Sequence, residues 1–137
     1  MHQIIYISTA RPGITVTDVE AILATSRANN RRDGITGLLI SDGVRFLQAL
    51  EGETGKVEAT FQRIKADPRH RATVLLSGKS VAERQFGMWE MAFGGFGKVR
   101  DDAALMALVD SLVAEVRDSN TRALFSGFTR ISRKTAA

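Results

Sequence analysis

The chain contains no cysteine, only two prolines, one tryptophan and one tyrosine. Without cysteine there is neither a disulfide frame nor a thiol nucleophile, and a cytoplasmic protein is the default expectation. No apolar run approaches the roughly 20 residues that cross a bilayer, so no membrane association is expected. Met1-His2-Gln3 lacks the basic region and following apolar stretch of a secretory signal. His2 and His70 are the only histidines, too few and too poorly placed for a metal site or a Ser-His-Asp set. Acidic residues stop at Asp118, and the later Arg122, Arg130, Arg133 and Lys134 account for the whole net charge of +4. A basic tail on a balanced chain is a solvated end more often than a reader of phosphates, so nucleic-acid binding is not expected.

What is present is enough for one domain with a real core: 137 residues, 44% of them hydrophobic. Gln3 to Ser8 forms a first strand by its alternation. Thr17-Asp18-Val19-Glu20 matches a capping box and starts a helix to about Arg32, closed by Gly34. Ile35 to Ser41 is a second strand, and Asp42-Gly43 predicts a two-residue hairpin into a third, Val44 to Glu51. Thr54 caps a second helix to about Ala66 that buries Val57, Phe61 and Ile64, and Asp67-Pro68 ends it. Ala72 to Ser77 and roughly Met88 to Phe93 are the fourth and fifth strands. The order β-α-β-β-α-β-β predicts an α+β, ferredoxin-like sheet with two helices on one face. A third helix, Asp101 to about Asp118, covers the other face, where Ile5, Ile7, Leu47 and Ala49 cannot stay wet. Leu124, Phe125 and Phe128 lie beyond it as core or dimer contacts. Residues 1–97 form the domain, and residues 98–137 a helical extension with the basic tail.

Several polar residues interrupt core-facing rows. Val44, Phe46, Gln48 and Leu50 share one face of the third strand, and Gln48 needs a partner there, since a buried unpaired amide costs roughly 1–3 kcal/mol. The first helix buries Val19, Ile22, Leu23, Ser26 and Asn30 at helical spacing, so its stripe begins apolar and ends polar. Tyr6 faces inward on the first strand and Met91 on the fifth. Converging between the two helices and the central strands, these groups suit a flat, mostly apolar heterocycle with one polar edge, because an amide both donates and accepts. An isoalloxazine ring has that character.

At these residues the sequence resembles the BLUF domain, a family of flavin-based blue-light sensors. The matching pieces are Ile5-Tyr6-Ile7-Ser8; Ser26-Arg27-Ala28-Asn29-Asn30 with Gly34-Ile35-Thr36-Gly37; Phe46 through Gly52; Asp67-Pro68-Arg69-His70; and Arg84-Gln85-Phe86 with Trp89-Glu90-Met91. They cover about residues 3–96 in order. The resemblance implies FAD held non-covalently between the two helices. Asn30 would hold the ring's imide edge beside Asn29, with Asp67, Arg69 and His70 at its other end and Ser26 in support. Tyr6 would donate an electron and a proton to the excited flavin, and Gln48, between them, would rearrange its hydrogen bonds. Trp89 and Met91 would carry the change outward to the C-terminal helices or a partner. Gly87 departs from the family's frequent proline, leaving open whether Trp89 or Met91 stands next to Gln48. About 40 residues follow the matching region, too few for an output enzyme. Signalling to a separate partner protein, by a homo-oligomer without catalysis of its own, is therefore expected.

Two other readings remain open on the residues alone. A ferredoxin-like acylphosphatase would use Arg11 in the first loop, and an adaptor would act through the basic tail. Gly52-Glu53-Thr54-Gly55-Lys56 is not a phosphate loop, because Leu50 stands at the required first glycine and Val57 replaces the Ser/Thr.

Overall fold

A computed structural model describes residues 1–86, 92–95, 102–114 and 116–136. The elements are β1 (His2–Ala10), α1 (Val16–Asp33), β2 (Thr36–Ser41), β3 (Arg45–Gly52), α2 (Thr54–Ala66), β4 (His70–Ser80), β5 (Ala92–Gly95), α3 (Asp102–Val113) and α4 (Ser119–Ala136). They build a five-stranded sheet in the order β4-β1-β3-β2-β5, antiparallel except for the β2–β5 pair. The fold is α+β and ferredoxin-like, as the element order predicts.

Alternation along the two central strands sends side chains into two separate cores. Ile4, Tyr6, Phe46 and Leu50 meet Val19, Ile22 and Leu23 of α1 and Val57 of α2, with Phe61 and Ile64 only partly buried at the margin. Ile5, Leu38, Ile40, Leu47 and Ala49 face the other way and pack on Leu105, Val109 and Val113 of α3 and on Phe125 and Phe128 of α4. Each such side chain is worth about 1.5–3 kcal/mol when fully buried, which is why the second helical layer is needed. Phe125 and Phe128 are therefore core residues of the same chain.

Four local expectations are corrected. The capping box uses Thr15 and Asp18, not Thr17 and Glu20: the Thr15 hydroxyl accepts the Asp18 N–H at 3.1 Å and the Asp18 carboxylate accepts the Thr15 N–H at 3.0 Å. Starting there places Ile14 just before the cap and Val19 four residues inside, and Ile14 packs against the cluster containing Val19, the staple a later start would lose. The β2–β3 loop has three residues, Asp42, Gly43 and Val44. The Asp42 carboxylate accepts the Val44 and Arg45 N–H groups at 2.9 and 2.7 Å, Gly43 takes φ +88°, and Val44 is turned out, 62% exposed. Glu53, not Thr54, is the residue before the first turn of α2, and it makes no side-chain cap.

The fourth correction concerns the third helix. It ends at Val113 because Asp118 opens a new one, its carboxylate accepting the Asn120 and Thr121 N–H groups at 2.9 and 3.4 Å. The fifth strand is described at Ala92–Gly95, later than expected. The stretch from Met88 to Met91 lies outside the described residues, and with it the expectations for Trp89 and Met91.

Candidate functional site

The β1–β3 register sets Tyr6 directly opposite Gln48, which puts both side chains on the α1–α2 side of the sheet. The Tyr6 hydroxyl donates to Gln48 Oε1, so the partner Gln48 demands is a side chain across the sheet. Tyr6 is 0% exposed. Burial pushes its hydroxyl above the ordinary tyrosine range, with Asp67 adding in the same sense, so it stays protonated at neutral pH and remains a donor. Its ring lies 5.3 Å from that of Phe61 and 6.4 Å, edge-on, from that of His70.

Above Gln48 a cleft opens between α1 and α2. It holds about 140 Å³ of free interior, less than the roughly 300–1,000 Å³ typical of small-molecule sites. Ser26, Asn29 and Asn30 line it from α1, Gln48 from β3, and Asp67, Arg69 and His70 from the segment after α2. These seven residues, far apart in sequence, are thus brought to one place. Tyr6 does not line the cleft; it lies behind Gln48. Ile22, Leu50 and Ile64 supply the apolar walls.

Each polar group is oriented by local geometry. Asn30 is buried near the last turn of α1, and its carbonyl accepts the Gly34 N–H where the chain turns left-handed at φ 69°. Asp67 and Arg69 form a close pair: Arg69 Nη2 donates to Asp67 Oδ2 at 2.7 Å, Nε to Oδ1 at 3.0 Å, and the Arg69 N–H to Oδ1 at 2.9 Å. The guanidinium holds the Asp67 carboxyl below the usual carboxylate range, and the carboxylate raises Arg69 in return. His70 shares a hydrogen bond with the Ser8 hydroxyl through Nδ1 at 2.9 Å, and its ring lies tilted against that of Phe46, centroids 4.9 Å apart. Burial lowers its pKa, opposed by Asp67 and helped by Arg69, so it is neutral at pH 7.

Thr25, Thr60 and Arg63 also line the cleft, and the sequence reading passed over all three. Helical spacing could have found them, since Thr60, Arg63, Ile64 and Asp67 recur at i, i+3, i+4 and i+7, as do Ile22, Thr25, Ser26 and Asn29. Arg63 donates to the Thr60 hydroxyl at 3.1 Å and to Asp33 at 3.4 Å. The donor set fits a flavin ring: apolar walls for its faces, amides and a guanidinium for its polar edge, and the Tyr6–Gln48 pair beneath. Asn29, Asn30, Asp67, Arg69 and His70 are the residues that would hold it. Among the described residues no cluster of metal-ligating side chains occurs, and no helix is long and apolar enough to cross a membrane.

Residues 1–92 match the family model described as BLUF, sensors of blue light using FAD. The chain is similar to a photoactivated adenylate cyclase subunit beta-like protein of Euglena gracilis, 32% identical over 89 residues, which are 65% of this chain and 10% of that protein. It is also similar to the blue light- and temperature-regulated antirepressor BluF of Escherichia coli K12, 30% identical over 107 residues, 78% of this chain and 27% of that protein. The chain therefore spans only about a tenth to a quarter of the length of these relatives. Among solved structures, that of BlrB, a BLUF protein in its dark state, matches with a TM-score of 0.73 and 28% identity over 96% of each chain. The acyl-phosphate hydrolase reading finds no support in these matches, and Arg11 sits at the surface, 3.6 Å from Asp18 and away from the cleft lining. Fold, cleft and sequence agree: the chain belongs to the BLUF family, the sensors of blue light using FAD.

Proposed function

We propose that this chain is a photoreceptor module that binds FAD non-covalently in the α1–α2 cleft and passes its signal to a separate effector protein. The observation that carries the reading is the Tyr6 hydroxyl donating to Gln48 at the cleft floor. When bound, the flavin supplies blue-light absorption and an excited state that takes an electron. Tyr6 gives that electron and releases its phenolic proton to the oxygen it already contacts, since an oxidised phenol cannot keep its proton in a buried site. Gln48 relays the proton toward the cleft and turns its amide, exchanging acceptor for donor on its two sides. The surrounding hydrogen bonds change, and nothing is consumed. Tight packing of Phe46, Phe61 and His70 around the pair keeps water from competing for the proton.

Ser26, Asn29 and Asn30 on one side, and Asp67, Arg69 and His70 on the other, fix the ring over Gln48. In the same reading, which for these two residues rests on the family's pattern, Trp89 and Met91 would pass the change outward. That the named relatives include a cyclase subunit and an antirepressor supports output through a distinct effector, with no catalysis in this chain. Self-association belongs to the same reading, supported by half-exposed Val74, Leu75 and Leu76 on the edge strand β4. A cytoplasmic location fits the lack of cysteine. One absorption spectrum before and after illumination tests the proposal: FAD-loaded protein shifts its flavin band reversibly to the red. Protein that cannot be loaded with FAD, or whose spectrum bleaches without recovery, refutes it, and chromatography of the extracted flavin separates FAD from FMN.

A further inference from the structure

Glu51 is the last residue but one of β3, three beyond Gln48 and, by strand alternation, on the opposite sheet face. It is completely buried. A carboxylate in that position must be met by donors, and two of them are consecutive backbone N–H groups from a remote segment. Glu51 Oε2 accepts the Gln85 N–H at 2.8 Å and Oε1 accepts the Phe86 N–H at 2.7 Å. The Thr36 hydroxyl and the Gln3 amide donate as well, at 2.9 and 3.3 Å. Arg84 tightens the same junction, donating to the Gly34 carbonyl at 2.7 Å, the Thr36 hydroxyl at 2.9 Å and the Glu51 carbonyl at 3.2 Å. Gly34 is the cap of α1, four residues past Asn30. Segment 84–86 is thus held by the ends of the two elements that carry Asn30 and Gln48.

The same segment touches the far helical layer at two points. The side-chain oxygen of Gln85 accepts the Asp118 N–H at 3.2 Å, at the start of α4. The Phe86 ring meets Phe125 of α4 edge to face, centroids 5.9 Å apart. Lys79 and Glu83 pair with Asp118 and Arg117 beside them.

We infer that Glu51 is a positioning residue that couples β3 at the flavin cleft to the α3–α4 layer, through its clamp on the Gln85 and Phe86 N–H groups. The inference rests on the light-sensor reading of the cleft. A change in hydrogen bonding at Gln48 shifts the strand that also carries Glu51, and the clamp transmits the shift to Asp118 and Phe125. A physical path of this kind counts only if both ends bias it, so the test must read α4 while light acts on the cleft.

Hydrogen exchange provides that reading, because it reports local opening. FAD-loaded parent, Glu51→Gln and Gln85→Ala proteins are compared in the dark and under blue light, with the flavin spectrum recorded on each. In Glu51→Gln the new amide keeps the shape of the carboxylate but turns one acceptor into a donor facing an N–H. The parent should shift its flavin band and change protection of peptides spanning residues 119–128. Glu51→Gln should keep flavin and red shift but lose the light-minus-dark difference in those peptides, and Gln85→Ala should reduce it. A residue of purely structural value would raise exchange equally in both states and leave the difference intact. An unchanged difference in Glu51→Gln overturns the inference, as does a parent that shifts its spectrum with no response in α4. Should Glu51→Gln fail to fold, Glu51→Asp, whose shorter side chain draws the carboxylate back from the Gln85 and Phe86 N–H groups, takes its place, and an unchanged difference there overturns the inference equally. A parent with no spectral shift removes the light-sensor reading itself, and the coupling falls with it.

Discussion

Replacing Tyr6 by phenylalanine deletes one oxygen at the centre of the site. The ring is 0% exposed and packs 5.3 Å from Phe61, and that packing survives the change, so no cavity beyond the hydroxyl's own volume opens. What is lost is the hydrogen bond to Gln48, worth about 0.5–1.5 kcal/mol net for a neutral pair. The upper end applies because Gln48 is itself 3% exposed and water reaches it poorly. A loss of about 1.5 kcal/mol moves the melting temperature by roughly 5 °C for a chain of this size. The photochemical effect is of a different order: phenylalanine has no acidic proton and is far harder to oxidise, so the light-driven step disappears. Thermal melts and illuminated spectra on one FAD-loaded preparation separate the two effects. The reasoning is refuted if Tyr6→Phe keeps the reversible red shift, or if it loses several kcal/mol, which would make Tyr6 a packing residue first.

Three further outcomes are expected. Gly34→Ala should destabilise the fold by about 1–2 kcal/mol in denaturant titration, since its φ of 69° is left-handed and a Cβ there meets nothing within 4 Å, leaving backbone strain as the whole cost; no change would show that the α1 cap relaxes freely. Because burial depresses the His70 pKa, its contribution to stability is complete above about pH 6.5 and falls as pH drops below it, when the unfolded chain takes a proton the folded chain resists. Denaturant titrations across pH 5–7.5 should show that decline, and His70→Gln should flatten it; an equal slope in the variant would assign the decline elsewhere. Arg69→Ala should weaken FAD binding by roughly 10–100-fold, the worth of one hydrogen bond to a charged group, by fluorescence titration of the released flavin; unchanged affinity would place Arg69 outside the binding set.

Much of this architecture was legible because it repeats at a fixed period. Gln48 stood out within an apolar row of period two, and Asn30 at the end of a helical stripe, and both line the cleft. Thr15 and Thr17 carry equally good capping spacing, and only the packing of Ile14, a tertiary fact, favours the earlier start. Thr60 and Arg63 were spaced correctly but looked like an ordinary solvated face, since nothing local reveals that a helix side borders a cavity. Glu51 was hidden more deeply. Its donors lie 34 and 35 residues away as backbone N–H groups, and backbone groups leave no mark in a sequence. Trp89 and Met91 fall outside the described residues, so their part in the site rests on the family's pattern alone.

At the centre of the account is an amide that sits between a buried phenol and a flavin and changes its hydrogen bonds when light moves a proton. Gln48→Leu tests it most directly, because leucine fills a similar volume while offering neither donor nor acceptor. Light-minus-dark absorption of the FAD-saturated variant should be flat beside a parent that shifts to the red and recovers in darkness, with flavin retained in both. A Gln48→Leu protein that shifts and recovers like its parent would contradict the account.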